Sequence, residues 1–591
     1  MILIGSLDKK ITFKDKLKKI ENNFNLHFEK ISSVKDLYLY KEADEVFYFD
    51  KKDGVSIIFK GDILMGKNEY SAEYICNIYK KYGDDFENYL DGWWSVIVID
   101  ELKNKITLSS DIMGFGKIFY KIEDDIILVT NKLKYLYLLS HYNFFGSNIN
   151  KNFILDYLIY GVDPSNVYGS KILSDSRSIL PYHKLIIYKN KSKNIKYFDL
   201  KTNNQIGTFK EKDFIKRKLE FKELMKKSIY KRIPPSDTPY GMELSGGIDS
   251  NSILFNIFDL LKTNKDKSKN IKIAHVVLEE EKKYFRLTEN VLNKHKITLK
   301  KLNYKEPDFN HVLGLLFFYD NLLTSFNFIS SNLMFNYFKN NNIDIVFDGD
   351  GPDEMLGGYD YKYIPLYLLN YLSEFGKVKF LKELDYYKDH LVSFKRNFDF
   401  SSFKNIRSNL LSMNKYGRKN DSINQILSRK YKEYENDVFI KTSLSENFLF
   451  DFNNISTTSG AFLNYRRPYL DKYMVRFLFS LPISYKIYKG ETKYILKKSM
   501  EKTVPDEIIK RKKFGGIMSH NFKTDFVLKN KSNFLNFIKE DGYVMEFLDY
   551  GFLKSNFENI AYSDPNILLR MLCAEAHYKA VSKISFYKKF L

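Results

Sequence analysis

Ser245-Gly246-Gly247-Ile248-Asp249-Ser250 stands between a short apolar run, residues 239–244, and a helix-like stretch, residues 251–261. A strand, a tight loop and a helix in that order make the first half of a βαβ unit. The two glycines let the backbone approach a ligand closely, and Ser245 and Ser250 offer hydroxyls. The new helix aims its unsatisfied N–H groups at an anion. Ser245 to Ser250 therefore reads as a loop suited to pyrophosphate. Asp249 would repel bare phosphate in a low-dielectric site, so a cation such as Mg²⁺ is expected between them, with Asp249 as a candidate ligand. The competing reading of the hexapeptide alone is an ordinary Ser/Gly-rich turn with Asp249 as a helix-start residue.

Outward from this loop, apolar runs at 271–278 and 343–347 each precede a helix-like stretch. The alternation predicts a parallel sheet with helices on both faces. The second run ends in Asp348-Gly349-Asp350-Gly351-Pro352-Asp353-Glu354-Met355-Leu356-Gly357-Gly358, with four acids within seven residues. Ligands of open α/β sheets bind at the carboxyl ends of strands, so this acidic loop can share a crevice with the loop at Ser245, its carboxylates facing phosphate through metal. A solvated acidic turn is the alternative, weakened by four glycines that give backbone turns a surface loop does not need. Before residue 200 the chain carries β-like runs at 55–59, 93–99 and 126–130, punctuated by turn residues such as Asp91-Gly92. A polar stretch, 201–208, then leads into a charged helical segment, 209–231, which sets a domain boundary near residue 206. Beyond residue 360 the pattern is mostly helical.

The two loops together resemble the asparagine synthetase B family, in which SGGxDS and GxGxDE segments build an ATP-pyrophosphatase site. Arg466-Arg467-Pro468-Tyr469-Leu470-Asp471 is similar to that family's R-x-P-F-L-D stretch, Lys493-Tyr494-Ile495-Leu496-Lys497 to its K-Y-I-L-R helix, and Arg511-Lys512-Lys513-Phe514-Gly515-Gly516 to its R-x-K-x-G-F loop. Leu90-Asp91-Gly92-Trp93-Trp94 and residues 111–120 resemble the amidotransferase segments L-x-G-x-F and D-x-x-G-x-x-P-L-Y-Y. The resemblance implies an α/β protein in two parts. Residues 1–205 would form an Ntn-hydrolase-like αββα sandwich, and residues 206–591 a Rossmann-like ATP-pyrophosphatase domain with a helical extension. ATP and Mg²⁺ are the implied cofactors. Leu244, Ser245, Gly246, Gly247, Asp249, Ser250 and Gly349 would bind the nucleotide, and Asp249 with Asp353 would hold Mg²⁺. Lys513 would stabilise charge on the pentavalent phosphorus and leaving pyrophosphate. Asp350, at an acidic position of the family, would serve as base for the incoming amine, with a shorter reach than Glu.

The pattern breaks in the N-terminal half. Glutamine-dependent relatives need cysteine directly after the initiator Met, where its thiolate attacks the amide and its own amine assists; here Ile2 stands. Cys76 and Cys573 lack a free α-amine and, far apart without metal-ligand neighbours, read as buried small hydrophobes. Lys60-Gly61-Asp62 stands where the family has N-G-E, and an R-G-P-D segment is missing. Two branches without the cysteine, the β-lactam synthetases and the lasso-peptide macrolactam synthetases, take an amine from the substrate itself. A tethered amine has a large effective concentration, which favours cyclisation. β-Lactam synthetases carry Tyr where this chain has Asp350, backed by an acid to which Asp451 corresponds loosely. The expected reaction is thus adenylation of a carboxylate and its intramolecular capture by an amine, of the lasso-peptide type. The alternatives are an ammonia-dependent asparagine synthetase, a β-lactam-type synthetase and an inert peptide-binding scaffold.

The chain has 591 residues, 44% hydrophobic and 28% charged, which suits a soluble multi-domain protein. No apolar run reaches a membrane span and the N-terminus has no signal-like segment, so a cytoplasmic protein without a membrane partner is expected. The formal charge of +21 comes mainly from Lys scattered along the chain, so no nucleic-acid partner is expected. The implied partners are a carboxylate-bearing small molecule or peptide and, for a peptide, a precursor-processing protease or leader-binding protein.

Overall fold

The computed structural model describes residues 2–6, 18–19, 21–22, 28–30, 36–40, 48–64, 72–123, 126–142, 146, 148–161, 169, 172–188, 191–203, 205–235, 238–261, 270–277, 282–304, 306–319, 321–387, 463–511 and 520–587. Near the N-terminus two six-stranded antiparallel sheets face each other. The first runs, in spatial order, Arg177–Ser178, Phe119–Glu123, Ile126–Thr130, Ile2–Ser6, Asp36–Tyr40 and Phe28–Lys30. The second runs Lys191–Lys196, His183–Tyr188, Lys105–Ser110, Gly92–Asp100, Val55–Ile63 and Tyr48–Lys52.

The two-residue period of a strand explains the layering. Leu3, Leu37, Ile127 and Val129 meet Ile58, Ile97, Leu108 and Leu185 between the sheets. The alternate residues Ile2, Ile4 and Leu128 point the other way, against helices Leu133–His141 and Lys151–Tyr160. On the far side Ile57, Phe59, Val96 and Val98 pack under Ile75, Cys76 and Tyr79 of helix Ala72–Tyr82. With each such side chain contributing about 1.5–3 kcal/mol on full burial, a one-residue slip would turn both faces inside out. The result is the αββα sandwich expected from the sequence.

The second part is built on a five-stranded parallel sheet, in the order Leu299–Asn303, Ile271–Val277, Tyr240–Glu243, Ile345–Phe347, Asn464–Arg466. The chain starts at the central strand, runs outward to one edge, then returns and runs outward to the other. The switch point therefore lies between Tyr240–Glu243 and Ile345–Phe347, where Met242 pairs with Phe347 so that both strands end level. Helices cover both faces. Ile253, Leu254 and Ile257 of helix Ile248–Leu261 join Met225 and Ile229 of helix Glu211–Arg232 in one core, while Phe338 packs on Ala274 and Val346 in the other.

Two of the boundaries that differ from the sequence reading bear on the site. The helix after the Ser/Gly loop begins at Ile248, not 251, so Asp249 lies in its first turn. The strand expected at 343–347 begins at Ile345, because Asn342 takes a left-handed turn (φ 55°) and the Ile343 N–H donates back to the Phe338 carbonyl, 2.9 Å.

The helical extension, Lys531–Ile538, Tyr550–Ser563 and Pro565–Ser582 among its members, shares one core with the helices beside the first sheet. Tyr137 and His577 Nδ1 meet there at 2.7 Å. Cys76 and Cys573 are both buried, as expected. Among the described residues no helix is long and apolar enough to cross a membrane.

Candidate active site

Both loops singled out in the sequence leave the sheet at its switch point and touch. A Cβ added at Gly349 would lie 2.8 Å from the Ser250 nitrogen and 3.2 Å from the Asp249 carbonyl carbon, so only glycine lets the acidic loop lie against the helix start. Within the first loop, Ser245 N–H donates to Ser250 Oγ at 3.2 Å, the two hydroxyls are 3.1 Å apart, and Gly247 N–H reaches Ser245 Oγ at 3.4 Å. The Leu244 carbonyl accepts from His275 Nδ1, 2.7 Å. Gly246 turns with φ 77°, and its carbonyl accepts from Arg511 Nη1 at 2.7 Å and Thr288 Oγ1 at 3.2 Å. Arg511 thus brings the start of its motif to the Ser/Gly loop. Lys513 and Asp451 lie outside the described residues.

Asp249 and Asp353, from different loops, converge on one cationic atom. Lys493 Nζ is 2.5 Å from Asp249 Oδ2 and 2.7 Å from Asp353 Oδ1. Burial alone would depress this ammonium, but the two carboxylates outweigh it and hold it above the ordinary lysine range. The close approach depends on Gly358, where a Cβ would fall 2.0 Å from Asp353 Oδ1 and 2.2 Å from Lys493 Cε. Sequence reasoning placed Lys493 in a family-like segment without giving it a role; its backbone is left-handed, φ 53°, at the start of helix Tyr494–Met500.

A second charged group lies beside the first. Arg467 Nε is 2.8 Å from Asp348 Oδ2 and 3.2 Å from Asp350 Oδ2. Arg467 and Asp348 are buried, whereas the Asp350 side chain is 53% exposed, so of the two carboxylates it is the one open to solvent. Burial raises Asp348 well above the carboxylate range, opposed by Arg467 and reinforced by Asp350. Tyr465 donates to Glu243 Oε1, 2.7 Å, at the end of the central strand. Burial pushes Glu243 up to about 7, against the Tyr465 hydrogen bond. Behind this group Tyr469 donates to the Asp249 carbonyl at 3.2 Å. Asp471 caps helix Lys472–Ser480 and pairs with Arg232 at 3.0 Å; Arg232 and Lys231 outweigh burial and hold it at about 2.

The donor set suits a divalent cation facing phosphate, since two carboxylates already converge on a positive charge beside hydroxyls and helix-start N–H groups. No group of three or more His, Cys, Asp or Glu arranged for a metal occurs among the described residues. Any ion held by Asp249 and Asp353 would therefore complete its shell with ligand oxygens and water, as Mg²⁺ commonly does.

The amidotransferase-like segments reach the same region. Asp62, of Lys60-Gly61-Asp62, accepts at Oδ2 from Arg466 Nη2 and from Asn464 Nδ2, both 2.8 Å. Ile2 is fully buried, its backbone in register with Tyr40 and Thr130.

Residues 220–554 match the asparagine synthase family, and residues 66–198 the glutamine amidotransferase domain. A Methanocaldococcus jannaschii protein described as putative asparagine synthetase [glutamine-hydrolyzing] 2 is 24% identical over 55% of this chain and 58% of its own length. Asparagine synthetase [glutamine-hydrolyzing] 3 of Bacillus subtilis is 22% identical over 75% of this chain and 70% of its own. The match therefore spans less than two thirds of the methanogen protein. Among solved structures, a B. subtilis glutamine phosphoribosylpyrophosphate amidotransferase aligns with 52% of this chain and 75% of its own at 9% identity and a TM-score of 0.20, too slight a likeness to carry an argument.

Proposed function

This chain belongs to the asparagine synthase family, and we propose that it is an ATP-dependent amide ligase that adenylates a carboxylate and joins it to an amine without drawing ammonia from glutamine. The observation that carries the reading is the convergence of Asp249 and Asp353 on one positive charge at the sheet's switch point, between the Ser245 loop and the acidic loop. In this reading the substrate carboxylate attacks the α-phosphorus of ATP and pyrophosphate leaves. The amine then attacks the acyl carbon, its proton passes to Asp350, and AMP departs. Leu244 to Ser250 and Gly349 cradle the nucleotide, and Lys513 would stabilise the charge that develops on phosphorus. Mg²⁺ held by Asp249 and Asp353 would neutralise the pyrophosphate oxygens.

The amine is proposed to come from the same molecule as the carboxylate, giving a macrolactam. Two features support this over glutamine-fed chemistry. Ile2 packs its side chain into the core beside the first sheet, and Asp62 is committed to Arg466 and Asn464 rather than to a small-molecule amide. Intramolecular capture gains up to about 7–11 kcal/mol over a dilute amine in favourable geometry. The test supplies aspartate with ammonium in one reaction and acid-bearing precursor peptides in another, each with ATP and Mg²⁺. Mass spectrometry should find a peptide lighter by one water. Efficient asparagine formation with no dehydrated peptide would replace the macrolactam reading with an ammonia-dependent synthetase.

A further inference from the structure

The guanidinium of Arg467 lies between the two parts of the molecule. Its Cζ is 4.7 Å from the ring centre of Tyr465, on the strand just before it, and 4.7 Å from that of Phe115, which belongs to the amidotransferase-like part. The same guanidinium pairs through Nε with Asp348 and Asp350, so the rings and the two carboxylates share one group.

The Phe115 loop is built to present that ring. Asp111 gathers four backbone N–H groups, from Trp94 at 3.1 Å, Met113 at 2.7 Å, Phe115 at 3.3 Å and Gly116 at 2.8 Å. Gly116 presses against strand Gly92–Asp100, where a Cβ would fall 2.0 Å from the Trp94 carbonyl oxygen. The loop is thus pinned on both sides of Phe115, which packs against the synthetase part together with Ile112 and Met113 of the same loop. The strand that leads into Arg467, Asn464–Arg466, is fixed from the same side: Trp93 Nε1 donates to Asn464 Oδ1 at 2.9 Å, and Asp62 holds both Asn464 and Arg466. A planar guanidinium against aromatic faces keeps its orientation, and that orientation decides which carboxylates its Nε can reach.

We propose that Phe115 is a positioning residue of the synthetase site, fixing the Arg467 guanidinium so that it aims Asp350 at the incoming amine, and that this is the retained task of the amidotransferase-like domain. The inference rests on the role given to Asp350 above.

The experiment compares Phe115→Ala, Phe115→Tyr, Asp350→Asn and the unaltered chain. Crystal structures of the first two read the separation of Arg467 Nε from Asp350 Oδ2, which needs no substrate. Reactions with ATP, Mg²⁺, L-aspartate as acyl probe and hydroxylamine as amine probe read hydroxamate formed per AMP released. The alanine variant should lose the Arg467–Asp350 contact and form about tenfold less hydroxamate per AMP, because a misplaced proton acceptor slows capture but not activation. The tyrosine variant should restore both. An alanine variant that keeps the contact, or a tyrosine variant that fails to restore it, overturns the inference. A ratio that falls in Asp350→Asn but not in Phe115→Ala overturns it while leaving the role of Asp350 standing. A ratio unmoved by Asp350→Asn removes that role and the inference with it.

Discussion

Lys493 places its ammonium 2.5 Å from the Asp249 carboxylate, and the same nitrogen also serves Asp353, so one lysine is shared by two acids that sequence reasoning had given to a metal. Both carboxylates are mostly buried, their side chains 15% and 25% exposed. Lys493→Met leaves them facing each other without compensation. The expected loss is about 3 kcal/mol of unfolding free energy in metal-free buffer, with millimolar Mg²⁺ recovering a good part of it. Urea unfolding with and without Mg²⁺ checks this. An unaltered midpoint, or a loss indifferent to Mg²⁺, would contradict the pairing.

Glu243 gives the stability a pH dependence of definite sign. Its native value is about 7 against 4.5 for the free side chain, so between those values the native state binds more protons than the unfolded one. Stability therefore falls as pH rises through that window, at a cost of about 3 kcal/mol once the carboxylate is fully ionised. Glu243→Gln keeps an acceptor for Tyr465 and removes the charge. Its unfolding free energy should exceed that of the parent at pH 8 and approach it near pH 4.5. Parallel profiles for the two proteins would show that Glu243 ionises without penalty.

Lys513→Met should lower the rate of AMP formation far more than the affinity for ATP, since the charge it faces is largest in the transition state. Single-turnover rates at saturating ATP, set beside nucleotide binding by calorimetry, separate the two. A pure loss of affinity would make this lysine a ground-state binder.

Glutamine should yield no glutamate, and Ile2→Cys alone should not change that. The new side chain would sit where Ile2 is now buried, and Asp62 would still be held by Arg466 and Asn464. Glutamate release above a heat-killed control, repeated in separate preparations, is the contrary result.

The parts of the site that the sequence disclosed are those whose chemistry is local. The Ser245 loop and the acidic loop each carry glycines, hydroxyls or acids within a few residues of a strand end, so pattern and function coincide. Even the error over the helix start was local: Ser250 Oγ accepts from Ser245 N–H and closes the loop three residues earlier than the apolar pattern suggests. Lys493, Arg467 and Phe115 were not legible as a site because nothing in their own neighbourhoods separates them from other Lys, Arg and Phe. Their meaning comes from contacts across more than a hundred residues, such as Arg467 with Asp350 and Lys493 with Asp249. Asp62 likewise gave no local sign of its part in the fold: standing where the family has N-G-E, it joins the two parts of the molecule through Arg466 and Asn464.

The most direct test of carboxylate activation at this crevice follows an oxygen atom. L-aspartate and acid-bearing peptides, their carboxylates labelled with heavy oxygen, are incubated with ATP and Mg²⁺, and the nucleotide product is weighed by mass spectrometry, in the parent and in Asp249→Asn and Asp353→Asn. Attack of the carboxylate on the α-phosphorus leaves one labelled oxygen in AMP, and both variants should lose that product while keeping their fold by circular dichroism. ADP in place of AMP, AMP without the label, or labelled AMP undiminished in both variants would contradict the account.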